Sequence, residues 1–206
     1  MARLELKTPS KVIAVGLNYR SHARELGMAV PDEPVLFLKP PSAVIATGEE
    51  IILPPQSSQV DYEAELAVVV GRSARDVDTD DAAGYVAGYT CANDVTARDL
   101  QEKDGQWTRS KSFDSFCPLG PWVETGAPAP ESLVELVLNG ELRQSAPLSD
   151  MVFSPLELVA FISQVMTLNP GDVILTGTPP GVGELSSGDE VMVRVAGAGV
   201  LKNTVK

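Results

Sequence analysis

Residues 61–71 read Asp-Tyr-Glu-Ala-Glu-Leu-Ala-Val-Val-Val-Gly, two carboxylates at the head of an unbroken apolar run that suits a strand buried on both faces. In a strand, side chains two apart share a face, with their Cα atoms roughly 6.5–7 Å apart. Glu63 and Glu65 therefore point the same way, beside buried structure. Two carboxylates there repel each other, and burying them unpaired costs several kcal/mol. A hard divalent cation removes both penalties, because carboxylate oxygens are the ligands that Mg²⁺ and Mn²⁺ prefer. The alternative is a strand end that opens to water and leaves both acids solvated.

Composition narrows the class of partner. With 206 residues, 44% hydrophobic and 21% charged, the chain can bury a proper core, as one large domain or at most two small ones. The formal charge of −12 argues against nucleic acid or an anionic membrane as the main partner. Residues 1–9 lack the apolar segment of a signal peptide, and the longest apolar runs fall far short of a membrane span. Cys91 and Cys117 form neither a CxxC pair nor a dense framework, so they read as reduced thiols and the chain as cytoplasmic.

Taken in order, residues 11–15 form a short strand, and residues 17–27 a short helix that Gly27 stops. His22 and Glu25 are three apart and share a face of that helix. A Glu that accepts from an imidazole N–H fixes the tautomer and raises the basicity of the other nitrogen. An incidental surface His is the other reading of such a pair. Residues 35–39 form a strand that ends in Lys39 before two prolines, and residues 44–53 carry two apolar pieces around a hairpin-like turn at 47–50. The Asp-rich residues 76–80 fail the EF-hand template, which needs Gly where Asp81 stands and Glu where Ala87 stands; Asp80 and Asp81 start a short helix instead.

Residues 85–91 read as a strand, and Thr96 as the cap of a helix that begins at Ala97. Asp94 falls where strand gives way to helix, a place for a ligand or for an ordinary turn. Lys111 stands among aromatic residues, where a solvated Lys is the ordinary reading. Residues 133–144 form a hairpin around a type I′ Asn139-Gly140 turn. Ser154-Pro155-Leu156-Glu157 is a capping box that opens a helix to about Met166, with Leu158, Val159, Phe161, Ile162, Val165 and Met166 in the core. A strand over 172–176 runs into the Gly177–Gly183 loop, whose amides and Thr hydroxyl suit a carboxylate. Two strands, 190–195 and 200–205, close the chain. No repeat, heptad or long linker is present, so a single domain over 1–206 is the simplest account.

This ordered set resembles the fumarylacetoacetate hydrolase family. The likeness runs through Gly16-Leu17-Asn18-Tyr19 with His22 and Glu25, Phe37-Leu38-Lys39-Pro40, Glu63-Ala64-Glu65, Asn93-Asp94 with Thr96-Ala97-Arg98-Asp99, Lys111-Ser112-Phe113, Asn139-Gly140 and Thr176-Gly177-Thr178-Pro179. It implies an α+β fold around a rolled, mixed β-sandwich with a few short helices. It also implies a homodimer and a Mg²⁺ or Mn²⁺ ion. By the same resemblance Glu63, Glu65 and Asp94 are metal ligands, and His22 with Glu25 is a base and its orienting acid on a lid helix at about 18–27. Lys111 is then the site lysine, and Lys39, Gln101 and Thr178 bind substrate. Larger members carry an N-terminal domain missing here, and a fourth metal-binding Asp near Asn18, where the resemblance implies water instead.

The family's substrates are small 2-oxo acids, or their 2-enol forms, that chelate a metal. The first expectation is hydrolysis of the C–C bond of a 3-acylpyruvate, of the acetylpyruvate or fumarylpyruvate type, with the His22–Glu25 pair activating water. The alternatives are oxaloacetate decarboxylase or tautomerase chemistry, and the isomerase or decarboxylase of aromatic degradation acting on 2-hydroxyhepta-2,4-diene-1,7-dioate or 5-oxopent-3-ene-1,2,5-tricarboxylate. A metal-dependent β-sandwich that binds a small ligand without turning it over is the non-enzyme alternative.

Overall fold

The computed structural model describes residues 3–5 and 8–206. Residues 1, 2, 6 and 7, within the stretch read above as lacking a leader's apolar segment, lie outside the described residues. The centre is a seven-stranded sheet in the order Arg3–Glu5, Trp122–Glu124, Val86–Asn93, Ala64–Val70, Val173–Leu175, Val12–Gly16, Val35–Lys39. Val173–Leu175 and Val12–Gly16 run parallel, and the other neighbours antiparallel. A five-stranded sheet, ordered Glu141–Pro147, Leu133–Leu138, Glu190–Val195, Gly199–Val205, Glu50–Ile51, packs against one face of it.

The central strand explains the apolar run. Leu66, Val68 and Val70 face Leu136, Val193 and Leu201 of the second sheet, while Ala67 and Val69 enter a separate core with Val12, Val173 and Leu175. Both faces are covered, so the sequence shows a run where a half-exposed strand would alternate. At roughly 1.5–3 kcal/mol for each buried Leu or Val side chain, this row fixes the strand and, with it, the positions of Glu63 and Glu65.

Four α-helices are found among the described residues: Arg20–Glu25, Arg98–Asp104, Thr108–Lys111 and Pro155–Val165. The chain is α+β, a mixed sandwich with few helices, as expected. None of these helices is long and apolar enough to cross a membrane. The Asn139-Gly140 turn has the positive φ values, 51° and 84°, that a type I′ hairpin requires. Ser154 and Glu157 form the reciprocal capping box.

Four local expectations are corrected. Residues 44–53 form no hairpin: Val44–Ile45 pairs with Cys117–Pro118, and Glu50–Ile51 with Gly199–Val205, because each short piece finds a longer-range partner. Thr96 caps no helix. It pairs as a strand with Asp61 and its hydroxyl donates to the Asp94 carbonyl, and the helix starts at Arg98. Val165 is 58% exposed: it is the last residue of the helix, where the chain turns extended at Met166 and sends Met166, not Val165, against the core. The helix expected at about 18–27 spans only Arg20–Glu25, since Tyr19 at its N-cap is extended (φ −121°, ψ 130°).

Candidate active site

Strand register assembles the acidic cluster. Ala64 pairs with Asn93 and Glu65 with Ala92, which sets Glu63 across from Asp94. The Asp94 N–H donates to the Glu63 carbonyl at 2.8 Å, and the Glu63 N–H donates to Asn93 Oδ1 at 2.9 Å. Glu63, Glu65 and Asp94 are 7%, 1% and 1% exposed, which rules out the solvated strand end. One oxygen from each carboxylate lies within 4.8 Å of the others.

The three acids are held unequally. Lys111 Nζ donates to Glu63 Oε2 at 2.9 Å and to Asp94 Oδ2 at 2.6 Å, and sits 4.9 Å from the Phe37 ring centroid. Burial opposes the Lys111 charge, but Asp94 and Glu63 outweigh it and hold the ammonium above its ordinary range. Burial likewise raises the Glu63 carboxyl, and Lys111 and Arg98 overcome it, so the net direction is down. Glu65 goes the other way: burial, then the Asp94 and Glu63 charges, push it well above the usual carboxylate range, against a bond from the Gly177 N–H at 2.6 Å and the more distant Lys111 charge. Among the described residues no cation lies within ion-pairing distance of Glu65.

That imbalance favours a divalent ion at the cluster. Three buried carboxylates converge, one of them unpaired, and all offer hard oxygen donors and no sulfur or nitrogen. This donor set suits Mg²⁺ or Mn²⁺.

Glu63, Glu65, Asp94 and Lys111 line one cavity of about 290 Å³, together with His22 and Thr178. The Arg20–Glu25 helix brings His22 to its wall. His22 Nδ1 lies 2.9 Å from Glu25 Oε2, so the expected pair is formed. The Gly181 N–H donates to Glu25 Oε1 at 3.1 Å, tying this helix to the Gly177–Gly183 loop. That loop does hold carboxylates, but they are the chain's own: Glu65 at Gly177 and Glu25 at Gly181.

Of the remaining expected residues, Gln101 lines the cavity and accepts from Arg98 Nη1. Lys39 does not line it. Its fully buried Nζ donates to Asp94 Oδ1 and to the Val95 carbonyl, behind the cluster. Asn18 is also turned away, with its amide bonded to the backbone of Phe153 and Thr176. Two functional candidates went unread in the sequence. Arg98 lines the cavity and bridges Asp61 and Glu63, and Gln144 braces Thr178 from the second sheet. The Thr-Ala-Arg-Asp motif carried a signal for Arg98, whereas an isolated Gln in a hairpin strand carries none.

Comparison with known proteins follows the same geometry. The model of the fumarylacetoacetate (FAA) hydrolase C-terminal family matches residues 11–206. A solved 5-carboxymethyl-2-hydroxymuconate delta-isomerase from Mycobacterium smegmatis is 49% identical, with a TM-score of 0.90 over 96% of this chain and 79% of that one. A mitochondrial oxaloacetate tautomerase from Rattus norvegicus is 45% identical over 96% of this chain and 66% of its own length. A fumarylpyruvate hydrolase from Pseudomonas aeruginosa, solved with Mn²⁺ and pyruvate, is 33% identical, with a TM-score of 0.89 over 96% of this chain and 89% of that one.

Proposed function

Because this chain belongs to the fumarylacetoacetate hydrolase family, a family of enzymes, we propose that it turns over small 2-oxo acids and that Glu63, Glu65 and Asp94 hold a Mg²⁺ or Mn²⁺ ion. The observation that carries the reading is an imidazole braced by a carboxylate, His22 on Glu25 at 2.9 Å, facing the same cavity as the three acids. A bound divalent cation supplies Lewis-acid polarisation of a 2-oxo acid chelated through carboxylate and keto oxygens. The Lys111 ammonium faces the negative charge that grows on the C2 oxygen. Thr178 and Gln101 orient the substrate, and Lys39 supports Asp94 from behind.

The specific reaction we favour is keto–enol tautomerisation of oxaloacetate. His22 Nε2 takes a proton from C3, the C2–C3 double bond forms, and the C2 oxygen gains a proton. Support comes from relatives whose names describe proton movement, at 45% and 49% identity, while solved hydrolases of the family are 33% and 42% identical. This reverses the order expected from sequence, where hydrolysis came first.

Hydrolysis of a 3-acylpyruvate is the second reading, favoured by the Glu25 brace, which suits an imidazole that must accept a proton from water. There the water oxygen adds to the distal acyl carbonyl and the C3–C4 bond breaks. C3 regains a proton, leaving pyruvate and a carboxylic acid. The test presents the purified protein, with Mg²⁺ or Mn²⁺, with the enol form of oxaloacetate and, separately, acetylpyruvate and fumarylpyruvate, following the ultraviolet absorbance of each enol. Faster equilibration of oxaloacetate alone supports tautomerisation, and loss of an acylpyruvate supports hydrolysis. Indifference to all three overturns the 2-oxo acid reading.

A further inference from the structure

Gln144 reaches the wall of the cavity from the opposite sheet. It lies in the edge strand Glu141–Pro147 and is 1% exposed. A bulge carries the register from Leu142 to Gln144, so Arg143 turns outward and Gln144 inward. Three hydrogen bonds then occupy its amide. Oε1 accepts from the Ala64 N–H at 2.9 Å, between the two Glu residues of the acidic strand. Nε2 donates to Thr178 Oγ1 at 2.9 Å and to the Pro179 carbonyl at 2.8 Å.

These partners settle which way round the amide lies, since a backbone N–H only donates and a carbonyl only accepts. Thr178 Oγ1 is therefore an acceptor toward Gln144. Its own hydrogen has no acceptor among the described residues, and Thr178 lines the cavity. The loop that bears it is seated tightly. Gly181 has φ +93°, and a Cβ there would stand 2.3 Å from the Arg143 carbonyl oxygen, at the bulge.

We propose that Gln144 is a positioning residue that presents the Thr178 hydroxyl to the cavity as a hydrogen-bond donor, selecting the carboxylate of a 2-oxo acid over a neutral amide. The inference rests on the 2-oxo acid reading and names the substrate group that Thr178 meets. A donor aimed at a carboxylate makes a charge-assisted bond, roughly twice as strong as a neutral one. A hydroxyl free to rotate would accept from an amide N–H as readily as donate to a carboxylate.

The test uses the full chain saturated with Mn²⁺, with pyruvate and its neutral amide, pyruvamide, as probes in calorimetry. Mn²⁺ alone is titrated first. Wild type binds pyruvate more tightly than pyruvamide. Thr178→Val and Gln144→Met each weaken pyruvate roughly 10- to 100-fold, while the Kd for Mn²⁺ alone moves by less than about twofold. Thr178→Ser restores pyruvate binding. The double variant binds no more weakly than Thr178→Val, because Gln144 acts through that hydroxyl. In turnover, KM rises in Gln144→Met while kcat holds.

Gln144→Glu keeps an oxygen for Ala64 but accepts the Thr178 proton, turning the hydroxyl away, so it shows the same loss even if Gln144→Met fails to fold. An unchanged pyruvate Kd in a folded Gln144 variant, or a loss that multiplies with that of Thr178→Val, overturns the proposal. So does failure of both Gln144 variants to fold, which marks the residue as structural. A wild type that binds Mn²⁺ but not pyruvate overturns the 2-oxo acid reading, and the inference with it.

Discussion

Lys39 Nζ lies 2.5 Å from Asp94 Oδ1, and the two side chains are 0% and 1% exposed. Lys111 takes the other oxygen of the same carboxylate, at 2.6 Å. Asp94 is thus gripped on both oxygens by lysines from different elements, the Val35–Lys39 strand and the Thr108–Lys111 helix. One lysine faces the cavity and the other does not.

Lys39→Met should therefore act on stability more than on substrate binding. Removing one partner of a buried ion pair costs about 3 kcal/mol, the low end of the range because Lys111 remains. Denaturant unfolding measures this, and steady-state kinetics should show KM close to wild type. A large rise in KM with normal stability would return Lys39 to the substrate.

Glu65 is the acid without a cation, so Glu65→Gln should separate stability from metal binding. The amide oxygen keeps the bond from Gly177 and removes a buried charge beside Glu63 and Asp94. In metal-free protein the melting temperature should rise by roughly 2–4 °C, the shift expected for about 1 kcal/mol in a chain of this size. The increase that Mn²⁺ produces in wild type should vanish. A variant whose melting temperature still climbs with Mn²⁺ would remove Glu65 from the ligand set.

The lid pair makes a kinetic prediction. His22→Ala should lower turnover about 10²–10⁴-fold, the usual contribution of a general base. Glu25→Gln should be milder, because the imidazole stays while its charged partner and the link to the Gly181 N–H weaken. If oxaloacetate decarboxylation is also seen, it should fall less steeply in His22→Ala, since loss of CO₂ requires no proton abstraction. Equal losses in both reactions would assign the lid to substrate positioning.

Asp99 makes the pH prediction. The Ser57 hydroxyl first, then the Ser58 N–H, outweigh burial and hold its carboxyl at about 2, with further bonds from the Ser58 hydroxyl and the Leu100 N–H. A carboxyl depressed in the folded state adds stability above its unfolded value of 3.8, and loses it as pH falls toward about 2. Asp99→Asn should cost about 1 kcal/mol at pH 7, and the gap to wild type should close as pH drops through that window. Unfolding curves at neutral and acid pH read it directly. A gap that stays constant would mean that the ionised carboxylate contributes nothing.

Much of this molecule was legible from local chemistry. The 66–70 run had to be a strand covered on both faces, since five apolar residues ending at a glycine leave no polar face to wet. The period of a strand then put Glu63 and Glu65 on one side, the i, i+3 spacing joined His22 to Glu25, and Asn139-Gly140 and Ser154–Glu157 wrote their own turn and cap. Where such local rules were asked about partners far along the chain, they failed. Residues 44–53 looked like a hairpin because nothing local says that 45 and 51 pair with strands at 118 and 205.

The same limit runs through the site. No spacing rule sets Glu63 opposite Asp94: that depends on the register of two strands whose pairing is chosen by burial on both faces. Nor does the motif around Lys39 reveal that its ammonium ends behind Asp94 and not in the cavity, since which way a long side chain turns is decided by the nearest buried charge. Gln144 is the extreme case, a residue 80 positions from Ala64 that reaches it only because two sheets pack face to face. Periodicity and capping are properties of neighbours in sequence, and so they can be read from it. Charge pairing across a core is a property of neighbours in space, and only the packed sheets supply those.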